Sequence, residues 1–115
     1  MSPYKHALSS AEKWGGTYWD YMPIHRFLDS SKLHFDDFRH RAVLHSTFGI
    51  QLCEQFFGDT ITNNDGKQVE VRYIAQKHIQ EDLGFVPTLK DWMGNIKAEE
   101  WMTGKFETIT KTIEV

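Results

Sequence analysis

The chain has 115 residues and a formal net charge of −3, and 40% of its residues are hydrophobic and 14% aromatic. This length suits one domain rather than two, and the apolar residues suffice to bury a core, which argues against disorder. We therefore expect a single domain over residues 1–115. Because no strongly basic face follows from this charge balance, the composition excludes a protein that binds duplex nucleic acid through its phosphates.

The cysteine count and the hydropathy indicate a compartment. Cys53 is the only cysteine, so no disulfide can form within the chain, and a reducing cytosol is the natural setting. No apolar run follows residues 1–6, so they do not form a signal peptide. No stretch approaches the roughly 20 apolar residues that a membrane span needs. We expect a soluble, cytoplasmic protein without a membrane partner.

The first thirty residues carry signals for two helices and a turn. A Ser-x-x-Glu capping spacing at Ser9 predicts a short first helix, which the glycine pair at Gly15 ends. Pro23 suits the first turn of a helix, where its missing N–H costs nothing. We predict a turn over residues 17–21 and a helix over residues 23–28.

The clearest periodic signal in the chain runs from residue 32 to residue 57. Side chains that recur there at intervals of three to four residues share one face of a helix. They are His34, Phe38, Ala42, His45, Phe48, Leu52 and Phe56. Gly58 stands where a glycine typically ends a helix. The pattern predicts one long helix from about residue 32 to residue 57.

The second half begins with a hairpin signal. The Asp-Gly pair at residues 65–66, between two β-prone segments, predicts a β-hairpin. A third helix is predicted over residues 72–83 and a fourth over residues 89–96. We expect Trp92 and Trp101 to anchor the C-terminal part to the core.

The C-terminal tail has a different pattern. Apolar residues alternate in residues 106–115, which predicts a strand that joins the hairpin or pairs with another subunit. The predicted fold class is a mainly α, compact helical domain with a small β-hairpin and a strand-like tail. An α+β arrangement is the alternative.

Six histidines suggest a metal site, because neutral imidazole is a common metal ligand. Such a site needs three or four histidine, cysteine or carboxylate ligands that converge on one point. The metal hypothesis places it between the long helix and the 72–83 helix, with zinc as the expected ion. The candidate ligands are His25, His45, His78 and Asp82. An open coordination position would make hydrolysis the natural chemistry.

Two further residues have supporting roles in this hypothesis. Glu81 would act as the general base or would hold a ligand in place, and His40 would be an orienting group that acts through Asp36 or Asp37. His6 and His34 receive no role. The alternative is that the histidines hydrogen-bond carboxylates and carbonyls inside a helical core, since no zinc-binding motif occurs in the sequence.

A second hypothesis concerns positive charge. Arginine binds phosphate through two parallel hydrogen bonds and aromatic rings stack on bases, so a small anionic ligand such as a nucleotide is a candidate partner. The candidate residues are Arg39, His40, Arg41, Arg72 and Tyr73. The alternative is that these arginines form surface ion pairs with nearby carboxylates. Cys53 is expected to be an inert core residue.

The chain also resembles a small, histidine-rich, uncharacterised domain family of bacteria and their phages. The resemblance rests on residues 11–16, 20–25, 38–42, 72–74, 78–84 and 87–92, and on His45 with residues 49–50. It covers residues 6–102, so residues 103–115 form a C-terminal extension. It implies no activity, but it places His25, His40, His45, His78, Glu81 and Asp82 in the shared pattern.

Two further alternatives to a metal-dependent enzyme stay open. A phage origin implies the first, a non-enzymatic inhibitor of host defence that binds a host protein or a nucleotide signal. The second, independent of that origin, is an interaction protein with structural histidines that forms a homo-oligomer through its C-terminal strand. Whether the protein is an enzyme stays open at the level of sequence.

Overall fold

A computed structural model describes residues 1–104, and it is mainly α-helical with one two-stranded antiparallel hairpin, as predicted. Five α-helices and two strands follow one another along the chain. They are α1 (Pro3–Trp14), α2 (Met22–Leu28), α3 (Thr47–Phe57), β1 (Thr60–Thr62), β2 (Gln68–Glu70), α4 (Val71–Leu83) and α5 (Leu89–Met93). Four short 3-10 turns connect or follow them: Tyr18–Asp20, Ser30–Leu33, Phe38–Arg41 and Glu100–Thr103.

Helix α1 begins earlier than its internal capping spacing predicts. Ser2 caps the helix by accepting a hydrogen bond from the backbone N–H of Lys5, and Pro3 occupies the first turn. Ser9 and Ser10 therefore lie inside the helix, so their hydroxyl groups are free to serve other partners. The prediction of a short helix at this place was wrong at its start, whereas the end at Gly15 and the next helix, α2, are confirmed.

The single long helix predicted over residues 32–57 is not present. Residues 32–46 form two 3-10 turns and a loop, and only α3 is α-helical. The backbone is extended at Asp37 and again at Ser46, and each side chain accepts a hydrogen bond from a backbone N–H two or three residues later. Such local hydrogen bonds compete with a continuing helix. Phe38 and Phe56, expected on a buried face, are 66% and 72% exposed.

The hairpin and the helix after it agree with the sequence. Strands β1 and β2 pair with Ile61 opposite Val69, and Gly66 takes a positive φ of 82° in the turn between them. Helix α4 follows β2 directly and ends at Gly84, which has the left-handed conformation typical of a helix end.

The C-terminal part of the structure agrees with the sequence predictions at some positions and differs at others. Helix α5 is shorter than predicted, and Trp92 anchors it by donating a hydrogen bond of 2.9 Å to the carbonyl of His45. Trp101 is 62% exposed and is not an anchor. The predicted strand over residues 106–115 lies outside the described residues.

Helices α1, α2, α3 and α4 pack around one apolar core. Its fully buried members include Tyr21, Ile24, Leu28, Cys53 and Ile74. Among residues 1–104, every helix is too short or too polar to cross a bilayer. What distinguishes this core is its polar part, because four of the six histidines are completely buried beside the apolar side chains.

Candidate metal centre

Four side chains from three parts of the fold meet beside the apolar core, and we call them the four-donor cluster. They are Asp29, His45, His78 and Asp82. Asp29 follows the last turn of α2, and His45 lies in the loop just before α3. His78 and Asp82 are one turn apart on α4, so both point to the same side. One donor atom of each lies within 4.8 Å of all the others.

The cluster has the dimensions of a tetrahedral metal site. His45 Nε2 lies 2.8 Å from Asp82 Oδ2 and 3.6 Å from Asp29 Oδ1. His78 Nε2 lies 3.4 Å and 3.3 Å from the same two oxygens. Four ligands at the usual zinc distances of about 2.0–2.1 Å stand about 3.3 Å apart. The four measured separations bracket this value, so an ion fits between these donors with small side-chain movements.

A chain of hydrogen bonds behind His78 couples its protonation to that of His25. When the Ser10 hydroxyl donates to the carbonyl of His6 at 3.1 Å, its oxygen accepts from His25 Nε2–H at 2.8 Å. His25 Nδ1 is then a lone pair, and it accepts from His78 Nδ1–H at 2.8 Å. In this arrangement a neutral His78 turns its Nε2 lone pair toward the two carboxylates, and a cation, either a proton or a metal ion, makes that favourable.

His40 is held in the same way from the other side of the cluster. Its Nδ1–H donates to the backbone carbonyl of Asp37 at 2.7 Å, and the hydroxyl of Ser31 donates to the carbonyl of His40. His40 Nε2 lies 3.8 Å from Asp29 Oδ1. The lone pair of a neutral His40 thus also faces a carboxylate oxygen, and it has no hydrogen-bond partner.

Unpartnered buried atoms concentrate at this place. Among residues 1–104, four buried side-chain polar atoms lack a hydrogen-bond partner: Asp29 Oδ2, His40 Nε2, Arg41 Nε and His45 Nδ1. Buried polar groups in folded proteins are nearly always hydrogen-bonded, because an unsatisfied group costs about 1–3 kcal/mol. Two of the four, Asp29 Oδ2 and His40 Nε2, are acceptors at or beside the cluster, so they are groups that could bind a cation.

The outer oxygen of Asp82 is held by a second layer of side chains. His6 Nε2 lies 3.1 Å from Asp82 Oδ1, and His6 Nδ1 lies 3.0 Å from Glu81 Oε1. Glu81 also accepts hydrogen bonds from Ser9 and Lys77. This leaves Asp82 Oδ2 for the cluster and fixes the plane of its carboxylate.

The electrostatics of the two cluster carboxylates favour their charged forms. Burial opposes the ionisation of Asp82, but hydrogen bonds with His45, His6 and His78 outweigh it and hold the pKa of Asp82 far below its usual value. At Asp29, burial is likewise outweighed by the hydrogen bond and charge of His78 and by the charge of Lys32, so its pKa is also lowered. Both residues are therefore carboxylates at neutral pH.

The pKa values of the buried histidines shift in opposite directions. Burial lowers the pKa of His78, but the hydrogen bonds to Asp29 and Asp82 more than compensate, and the net shift is upward. Burial lowers the pKa of His45 in spite of Asp82. Burial, with the neighbouring His78 and His6, lowers the pKa of His25 to about 2, so His25 is neutral. A neutral His25 is what the hydrogen-bond chain requires.

The residues singled out from the sequence for the metal site separate into two positions. His45, His78 and Asp82 belong to the four-donor cluster, whereas His25 contacts His78 from behind and forms with it and His6 a second group that could hold a metal ion. Glu81 contacts His6 rather than a cluster donor. His40 is oriented by the backbone carbonyl of Asp37, not by a carboxylate.

The sequence reasoning missed two members of this region. Asp29 supplies the fourth donor, and His6, which received no role, is completely buried and joins Asp82 to Glu81. A signal for Asp29 was present, because His25 and Asp29 repeat the i, i+4 spacing of His78 and Asp82. His34, also without a role, is exposed.

The cationic candidates do not form one pocket. Arg39 pairs with Asp37 at 2.7 Å on the surface, and Arg72 pairs with Glu70 at 3.3 Å and lies over the Tyr73 ring. Tyr73 lines a cavity of about 330 Å³, and Arg39 lines a separate one. Arg41 is the candidate that reaches the metal region, with Nη2 at 3.9 Å from Asp82 Oδ1.

Fold and site together define a mainly helical domain with a buried histidine–carboxylate cluster that could hold a metal ion. The chain belongs to the family described as Domain of unknown function (DUF6915), whose model matches residues 1–102. This confirms the resemblance to a small family of unknown function. No curated protein and no solved structure matches the chain.

Proposed function

We propose that this protein binds one divalent transition-metal ion between the carboxylates of Asp29 and Asp82 and the Nε2 atoms of His45 and His78. The observation that carries the proposal is the convergence of the four donor atoms within 4.8 Å of one another. His78 Nε2 lies 3.3 and 3.4 Å from the two carboxylate oxygens, and its Nδ1 contacts His25 at 2.8 Å. Ligating histidines characteristically donate their other N–H to such a partner, which fixes their tautomer.

A proton competes with the metal ion for the position between His78 Nε2 and the two carboxylates. The raised pKa of His78 shows that the two carboxylates attract positive charge to its Nε2. A proton on His78 would satisfy that nitrogen, but it would leave His40 Nε2 and Asp29 Oδ2 without partners. A metal ion satisfies the cluster donors together, and His40 Nε2 lies beside them at 3.8 Å from Asp29 Oδ1. A mixed set of imidazole and carboxylate ligands suits zinc, the ion we propose.

The reaction class we propose is hydrolysis. An ion of this kind, when it keeps a water ligand, supplies a hydroxide nucleophile near neutral pH. His40 Nε2 is a buried lone pair beside the cluster, so it is the group placed to accept a proton from such a water. Glu81 is less suited to this role, because hydrogen bonds from His6, Ser9 and Lys77 occupy it and, against the effect of burial, hold its pKa low.

Elemental analysis of the protein, purified without a metal-affinity tag, tests the proposal. We expect about one transition-metal ion per chain and a melting temperature that falls on chelation, because an ion that binds only the folded state stabilises it. Asp82→Asn removes one charged donor with little change in volume and should lose the ion.

His34→Ala is the matched control, because it removes an exposed histidine and should keep the full metal content. The proposal fails if the wild-type protein, dialysed against zinc and then against buffer, retains far less than one ion per chain and melts at the same temperature with and without chelator.

A further inference from the structure

We propose that the metal site binds a doubly charged oxyanion, the phosphoryl group of a phosphate monoester or free orthophosphate, through the ion together with Arg41 and Lys32. The inference rests on the proposed metal and names the class of ligand that this site takes. It is carried by the position of Arg41, by the charges around the cluster and by the cavity next to Lys32.

Arg41 is placed beside the cluster with its donors unused. Its Nη2 lies 3.9 Å from Asp82 Oδ1, too far for a hydrogen bond, and its buried Nε has no partner. The side chain is only 26% exposed, so water does not surround it freely. A guanidinium group whose N–H groups are available at the edge of a metal site is the arrangement that binds an oxyanion by two parallel hydrogen bonds.

The charges near the cluster favour a ligand with more than one negative charge. The carboxylates of Asp29 and Asp82 balance one divalent ion. Three positive groups then remain: Arg41, Lys32 with its Nζ at 3.7 Å from Asp29 Oδ2, and the N-terminal amine of Met1 at 3.2 Å from Asp82 Oδ1. Lys77 is already paired with Glu81. A carboxylate ligand would balance one of these positive charges, whereas a phosphate dianion balances two.

A cavity of about 450 Å³ is lined by Lys32, whose Nζ lies 3.7 Å from Asp29 Oδ2 of the cluster. The segment that lines it runs between Asp29 and His40. Its lining carries the basic side chains of Lys32, His34 and Arg39, one carboxylate, Asp36, and the apolar side chains of Leu33 and Phe35. This mixture suits the organic part of a phosphate ester.

Equilibrium dialysis of the zinc-loaded protein against inorganic phosphate tests the inference. The wild-type protein should retain one phosphate per chain. Arg41→Gln should weaken phosphate binding roughly tenfold or more, the usual effect of losing hydrogen bonds to a charged group, while it keeps the metal. Arg41→Lys retains the positive charge but lacks the two parallel N–H donors of the guanidinium group. Its phosphate affinity should lie between those of the wild type and Arg41→Gln.

Arg72→Gln is the matched control, because Arg72 is a surface arginine paired with Glu70, and its phosphate affinity should equal that of the wild type. Adding phenyl phosphate as competitor identifies the source. Tighter binding of the ester assigns a phosphate monoester, and tighter binding of inorganic phosphate assigns orthophosphate.

Two negative results are distinguishable. A wild-type protein that holds zinc but retains no phosphate at millimolar concentration overturns this inference and leaves the proposed metal site intact. Equal phosphate affinity in folded, zinc-loaded Arg41→Gln and wild type overturns it as well. A protein that takes up no zinc fails at the metal itself, which the elemental analysis reports separately.

Discussion

His25 and His78 face each other through their Nδ1 atoms at 2.8 Å, with both rings completely buried. Two nitrogens at this distance share one proton, and His78 supplies it when the Ser10 hydroxyl donates to the carbonyl of His6. The pair therefore connects α1 and α2 to the chemistry of α4. His25 is a positioning residue in this account: it does not touch the ion but orients a residue that does.

Replacing His25 with phenylalanine should weaken metal binding. The substitution fills the space but removes the acceptor for His78 Nδ1–H, so the tautomer of His78 is no longer fixed. Loss of such a supporting contact typically costs 10- to 100-fold in metal affinity. Competition with a chromophoric zinc chelator measures the affinity, and His34→Phe provides the surface control. Equal affinities of His25→Phe and wild type would contradict the role assigned to His25.

The metal-free protein should lose stability as the pH falls below 6.5. The pKa of His25 in the folded state is about 2, so the unfolded chain takes up a proton at this position that the folded state refuses. The free energy of unfolding therefore falls by up to about 1.4 kcal/mol per pH unit, or about 2.7 kcal/mol at pH 4.5. His45, whose pKa is also lowered, adds to the loss in the same direction.

Other titratable groups do not mask this loss of stability between pH 6.5 and pH 4.5. The lowered pKa values of Asp29 and Asp82 stabilise the fold above about pH 3.8, and that contribution is lost only below it. The stability that comes from the raised pKa of His78 is fully present below pH 6.5. Urea unfolding at several pH values should thus show a steeper loss for the wild type than for His25→Phe. Parallel curves would show that His25 does not resist protonation.

Gly49 should tolerate no side chain. A Cβ at this position of α3 would overlap the carbonyl oxygen of Leu44, which is backbone and cannot move aside. Gly49→Ala should cost more than about 3 kcal/mol of stability or prevent folding, and it should disturb the neighbouring His45. Thermal unfolding compares it with Gln51→Ala, an exposed change on the same helix. Similar melting temperatures for the two variants would refute this packing.

Cys53 should be unreactive in the folded protein. Burial, with a smaller contribution from the charge of Glu54, raises the pKa of its thiol to about 12, and the thiolate is the reactive form. A disulfide reagent such as Ellman's should label no thiol in native buffer and one per chain in guanidinium chloride. Rapid labelling of the native protein would place Cys53 at the surface instead.

Local signals predicted the elements whose ends are encoded nearby. The Asp-Gly turn and the end of α1 at Gly15 were predicted correctly, because each depends on residues within one turn of the element's end. The prediction of one long helix over residues 32–57 was wrong for a related reason. A helical period continues through residues 32–46, but Asp37 and Ser46 bind nearby backbone N–H groups and interrupt it.

The membership of the site could not be predicted from the spacing of residues in the sequence. His45 could be singled out as a polar residue in an apolar pattern, but its neighbours are 16 to 37 residues away in sequence. His40 and His45 cannot share a ligand on one helix, yet their rings lie 5.9 Å apart because the segment between them is a loop. Only the docking of α2 against α4 brings Asp29 to His78.

Crystallographic anomalous scattering at the zinc absorption edge would locate the ion itself. We expect one strong peak in zinc-loaded crystals, about 2.0–2.2 Å from Nε2 of His45, Nε2 of His78 and oxygens of Asp29 and Asp82. A peak at surface residues such as His34, or no peak between these four side chains in a protein saturated with zinc, would contradict this expectation.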